Sequence, residues 1–197
     1  MTTSSLENNT SLEPKLLPGD LAIWFFIFME LLVFAIFFII YSIKRIQNVE
    51  MFNQYQLTLN TEIGAINTLV LITSSYFVIR AVHAIKAGDV NGCTKGLYTA
   101  LGGGLAFLIF KSIEYYDKFS HGVNLDTNDF YFFYLSLTMF HSLHVILGMI
   151  ILAAVIFKAK RGAYSAQNHV GVETGASYWH MVDLVWIILF PLVYIIR

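Results

Sequence analysis

Charge is scarce in this chain: Asp, Glu, Lys and Arg make up 13% of 197 residues, and the formal net charge at pH 7 is -1. So few basic groups exclude an electrostatic nucleic-acid binder. Cysteine is scarcer still. Cys93 stands alone, which rules out an internal disulfide, and there is no Cys-x-x-Cys or Cys/His array to hold a metal. It reads as a loop thiol without a role. The N-terminus lacks the basic stretch and short apolar core of a cleaved signal; residues 1–17, rich in Thr, Ser, Asn and Glu, read as a disordered tail. No internal repeat and no second domain stand out.

What the chain has instead is apolar length. Hydrophobic residues account for 57% of it, too many for an ordinary soluble domain, and the length suffices for about five membrane spans. The spans fall at about 21–43, 62–85, 96–116, 128–157 and 174–197, each long enough to cross a hydrocarbon core of ~30 Å. The expected fold is an all-α integral membrane protein, a bundle of five transmembrane helices occupying residues 18–197. Asn67, Thr68, Gly102, Gly103, Gly104 and Gly148 are small or polar types that let membrane helices approach and hydrogen-bond. Trp24, Tyr41, Tyr115, Tyr116 and Trp179 read as interfacial anchors. Lys15, Lys86, Lys95, Lys158, Lys160 and Arg161 fall on one side, and Lys44, Arg45, Lys118 and Arg197 on the other, with Lys111 close to it. This bias puts the N-terminus in the cytoplasm and the C-terminus outside.

Ionisable residues inside the spans mark a bundle interior, because a charge facing hydrocarbon costs several kcal/mol. Ser177, His180, Asp183, Pro191 and Tyr194 share one helical face, so the last span presents a polar stripe to protein. His180 and Asp183 read as an interhelical lock, with a proton relay as the sharper alternative. Glu30 sits among Phe26, Phe34 and Phe37 at helical spacing, either hydrogen-bonded to a neighbouring helix or handling protons or lipid. No second titratable residue lies within one helical turn of it, which favours the structural role. His141 and His144, three apart, are placed to approach one partner helix. Glu114 and Asp117 lie near a helix end and read as solvated or salt-bridged acids. Arg80 and His83 lie near another helix end, within snorkelling reach of water. A membrane di-metal site needs more ligands than these histidines and acids supply.

Four motifs then take on a shared meaning. Tyr178-Trp179-His180-Met181-Val182-Asp183-Leu184-Val185-Trp186, His141-Ser142-Leu143-His144-Val145-Ile146-Leu147-Gly148, Ile66-Asn67-Thr68-Leu69-Val70-Leu71 and Glu114-Tyr115-Tyr116 resemble motifs of cytochrome c oxidase subunit III, the accessory subunit of haem-copper oxidases. The resemblance covers positions 18–197. Five spans in place of seven resemble the family's short branch, and Pro18-Gly19-Asp20, Thr127-Asn128-Asp129-Phe130 and Phe190-Pro191-Leu192 resemble the spellings of subunits associated with bacterial nitric oxide reductases.

The resemblance implies an accessory, non-redox subunit in a bacterial inner membrane that binds no haem or metal of its own. Haem, with copper or non-haem iron, would reside in a partner, catalytic subunit I. Structural phospholipid would be a further ligand, and the role would be assembly and sustained proton uptake during turnover. Glu30 matches the family's carbodiimide-reactive intramembrane glutamate, and His141, His144, Glu114, His180 and Asp183 match its characteristic polar positions. Arg80 and Val82 depart from the family's tryptophan-alanine-histidine-histidine run and leave only His83. A small proton channel or transporter and a membrane di-metal enzyme are the alternative classes.

Overall fold

The computed structural model describes residues 19–196; the tail expected at 1–17 lies outside the described residues. Six α-helices follow one another: α1 (Leu21–Gln47), α2 (Val49–Gln56), α3 (Thr61–Lys86), α4 (Val90–Ser120), α5 (Asp129–Lys160) and α6 (Val170–Phe190). A π-helical turn, Pro191–Ile195, continues α6. Among the described residues there is no strand. Five of these helices are long and apolar enough to cross a membrane, with α6 and its π turn counted as one span. The chain is a multi-pass membrane protein.

The sequence dictates the helix ends. Asp20, Asn60, Asp89 and Asn128 each accept a hydrogen bond from a backbone N–H of the first turn that follows, which caps α1, α3, α4 and α5. At the other end of α3, Gly88 takes a left-handed conformation (φ 81°) and the Asp89 N–H reaches back to the Ala84 carbonyl. This arrangement satisfies an orphan carbonyl at little steric cost. Gly162 repeats it after α5 (φ 74°), with the Ala163 N–H bonded to the Lys158 carbonyl.

The helices run further than the hydrophobic stretches because polar turns project beyond the hydrocarbon. The third span therefore begins at Val90 instead of 96, and Cys93 is buried inside α4, not in a loop. The segment after α1 is no plain loop either. It forms α2, whose Gln56 donates from Nε2 to the carbonyls of Val193 and Ile196, both at 3.0 Å. Tyr41 donates to the neighbouring Leu192 carbonyl at 3.3 Å. These contacts satisfy acceptors that a helix C-terminus leaves open. Tyr41 is thus 1% exposed and serves the core, not the membrane interface.

Packing sorts the spans. α3 and α4 approach closely: Ser74 Oγ donates to the Ala100 carbonyl at 2.9 Å, and a Cβ on Gly103 would sit 2.8 Å from that of Ser74. Gly104 and Gly148 make room for the Trp179 ring, which a Cβ on either would meet at 2.7 and 2.9 Å. Trp179 is therefore a core residue and not an anchor. Gly102 faces open space and packs against nothing, contrary to its expected role. α6 lies against α1, α3 and α5 in the centre of the bundle. α1 is peripheral. Its buried residues, Ile27, Phe34 and Tyr41, form one narrow stripe, while Phe25, Phe28, Met29 and Leu32 face outward.

Candidate functional site

Glu30 projects from the narrow buried stripe of α1, between Ile27 and Phe34. Its Oε2 lies 2.9 Å from Nε2 of His144 on α5. The other imidazole nitrogen, Nδ1, lies 2.8 Å from the Phe140 carbonyl, which can only accept, so Nδ1 carries a hydrogen. A 2.9 Å contact on the opposite side then needs one further proton, held by either Glu30 or His144. In both arrangements the pair is neutral overall, which suits a low-dielectric surrounding. The rings of Phe34 and Phe140 enclose the imidazole, with centroids at 5.2 and 4.6 Å. Glu30 therefore has a titratable partner that sequence proximity did not reveal. His144 and His141 both lie edge-on to Phe34 of α1, at 5.2 and 6.5 Å between centroids, and His141 also meets Phe107 of α4 and Trp186 of α6, at 5.5 and 5.1 Å.

The second polar group lies where α4, α5 and α6 meet. Lys111 Nζ donates to Glu114 Oε2 at 3.0 Å and to the Tyr194 hydroxyl at 2.8 Å. The Tyr134 and Tyr194 hydroxyls both donate to Glu114 Oε1 at 2.7 Å. The rings of Tyr115, Tyr134, Trp186 and Tyr194 surround the ammonium at 5.0–5.6 Å. Lys111 is 1% exposed and Glu114 5%, so of the two readings of Glu114, solvated or salt-bridged, the second holds, in a pair that is buried and not at the water-facing helix end. Spacing of i and i+3 in an apolar run was the available signal for Lys111.

The third group joins α6 to α3. His180 Nδ1 is 2.5 Å from Ser75 Oγ, whereas the Asp183 carboxylate is 3.7 Å away, beyond a hydrogen bond. The lock thus runs through Ser75, with Asp183 as an electrostatic neighbour. Near the start of α6, Glu173 holds three elements: it accepts from the Gly19 N–H at 3.2 Å, pairs with Lys86 at 2.7 Å and lies 3.5 Å from His169. Thr68 accepts from the Trp186 indole at 2.9 Å. Asn67 and His141 are buried with no side-chain hydrogen bond among the described residues. Trp186, one turn beyond Asp183, and Phe107, one turn before Lys111, meet edge to face at 4.8 Å. Among the described residues, no three His, Cys, Asp or Glu side chains converge as metal ligands.

Five membrane-spanning helices joined by buried polar contacts, Glu30–His144 and Tyr194–Glu114 among them, define a membrane protein with an internally braced polar interior. The chain belongs to the cytochrome c oxidase subunit III family, whose profile its residues 18–197 match. It is 40% identical over 135 residues to "Cytochrome c oxidase subunit 3" of Thermostichus vulcanus, a stretch covering 68% of this chain and 66% of that protein. It is 37% identical over 134 residues to the protein of the same name from Synechocystis, covering 66% and 55%. Against "Probable cytochrome c oxidase subunit 3" of Rickettsia felis it is 38% identical over 139 residues, covering 68% and 48%. The chain spans about half to two thirds of the length of these relatives.

Proposed function

We propose that the chain is a non-redox accessory subunit of a respiratory haem-copper oxidase, packed in the membrane against the haem-bearing catalytic subunit. The observation that carries this reading is the family match running through all five spans. The site geometry supports it. The Glu30–His144 pair ties the peripheral α1 to α5, and Lys111–Glu114 with its two tyrosines ties α4, α5 and α6. Polar groups placed this way brace helices. A proton channel would need them joined by water, and near Lys111 the interior is filled by the Trp186 and Phe107 rings, in edge-to-face contact at 4.8 Å. A di-metal enzyme would need converging ligands.

Service to a nitric oxide reductase is the narrower alternative, and the relatives' names favour the oxidase. A bacterial inner membrane is the proposed location, with the N-terminal side cytoplasmic by the distribution of Lys and Arg. Structural phospholipid would cover the outward face of α1, where Phe25, Phe28, Met29 and Leu32 are exposed. Purification of the tagged full chain from its native membrane in mild detergent tests the reading. Co-elution of a haem-bearing subunit, with oxygen reduction in the eluate, is the expected result. Elution without any haem protein overturns it.

A further inference from the structure

Along the seam of α4 and α5 a cavity of about 240 Å³ opens on the outside of the bundle. Its walls are Leu108, Ser112 and Tyr115 of α4 and Met139, Leu143 and Ile146 of α5. Each set steps by four positions and then three, which puts it on one helical face. Two hydroxyls there still have a hydrogen to give. Ser112 is exposed and makes no hydrogen bond among the described residues, whereas Ser42 and Ser142 return theirs to the carbonyl four positions back, at 2.8 Å each. Because the Ser142 hydrogen is spent on that carbonyl, Tyr115 is the donor in its contact with Ser142, and at 3.5 Å the contact is longer than an ordinary O–H···O bond. Hydroxyls facing hydrocarbon without an acceptor are costly. Lys111 closes the inner wall with its ammonium 5.0 Å from the centre of the Tyr115 ring, and the Glu114 carboxylate at 3.0 Å balances its charge. The cavity therefore offers donors and no net charge.

We infer that the α4–α5 cavity is a binding site for a neutral, membrane-dissolved ring compound bearing carbonyl acceptors, the quinone class. An apolar pocket between helices with a few placed polar groups is the usual form of a small-molecule site. One ring carbonyl accepts from Ser112 and Tyr115, and the ring lies against Leu108, Met139 and Leu143. Leu143 and Ile146 are 61% and 42% exposed, so the cavity is open to the bilayer and a hydrocarbon tail can remain there. A phospholipid headgroup is a poorer occupant. Lys111 is paired with Glu114, and Lys118, the next cation along α4, is held by the Thr58 carbonyl at 2.8 Å and lies 3.8 Å from Asp117, which leaves no cation for a phosphate. An acyl chain by itself has no acceptor for the two hydroxyls. The site lies wholly within this chain, so it stands or falls apart from the accessory-subunit reading.

The test applies an azido-benzoquinone photolabel to the full chain in its native membrane, with decyl-benzoquinone as competitor and peptide mapping as the readout. Saturable labelling of residues 108–115 and 139–146, suppressed by the competitor, is expected. Leu143→Trp fills the cavity and should weaken labelling roughly tenfold, and Ser112→Ala, which removes one donor, about fivefold. Ile109→Trp, on the same helix, 51% exposed and outside the cavity, should label like the wild type. Labelling that does not saturate, or equal labelling of a Leu143→Trp chain that melts like the wild type, overturns the inference. Competition of equal strength by decylbenzene, which has the ring and tail without a carbonyl, overturns it too, as do phospholipid photolabel adducts on the same residues that decyl-benzoquinone does not reduce. Each of these results leaves haem co-elution untouched, and loss of haem co-elution leaves the labelling untouched.

Discussion

His144 Nε2 stands 2.9 Å from Glu30 Oε2, joining two helices across 114 positions of sequence. Because the Phe140 carbonyl fixes the hydrogen on Nδ1, the contact requires one shared proton, and the pair carries no net charge. α1 has few other buried residues, so this contact is a main fastening of that helix.

Glu30→Gln keeps a donor facing the Nε2 lone pair and should retain α1 docking and the partner's sustained turnover. Glu30→Ala removes it and should cost about 1–3 kcal/mol, leaving the imidazole unpaired. Thermal unfolding in detergent reads the first effect, and long assays of the assembled complex read the second. Collapse of sustained turnover in a fully assembled Glu30→Gln complex would assign the residue to proton handling.

Lys111→Met strands the Glu114 carboxylate among rings and should cost about 3–5 kcal/mol. Adding Glu114→Gln to it should recover most of that loss, since a buried pair replaced as a unit is far less damaging than one broken. The double-mutant cycle, read by unfolding temperature, checks the coupling. Additive losses would mean that the two groups do not act together.

The glycines of α4 should differ sharply. Gly104→Ala drives a methyl into the Trp179 ring and should destabilise by about 1–3 kcal/mol. Gly102→Ala, two positions away, meets nothing and should be neutral or slightly stabilising. Detergent melting of the two variants is sufficient to compare them.

Ser75→Ala should weaken the α3–α6 contact by about 1 kcal/mol by removing the hydroxyl from His180. Asp183→Asn should do less, because its carboxylate is 3.7 Å from the imidazole and is not bonded to it. If Asp183→Asn proves the more damaging in assembly, the charge itself is required.

The number and order of spans, the family and the polarity of residues such as Glu30, His144 and Asp183 were legible from the chain alone. Hydrocarbon thickness and helix period act locally, so consecutive residues suffice to specify them. Which polar group meets which was not legible. Lys111 counted only as a charge close to one membrane face until α5 and the turn after α6 placed Tyr134 and Tyr194 around it, and Tyr41 and Trp179 looked like anchors until Leu192, Gly104 and Gly148 received them. α2 was hidden because its purpose is to satisfy carbonyls 137 and 140 positions away. Partner choice depends on how helices rotate and pack in three dimensions, and a one-dimensional periodicity carries no information about the facing helix. Composition and spacing therefore determined what this protein is made of and where it crosses the membrane; the tertiary structure alone decided how its buried charges are neutralised.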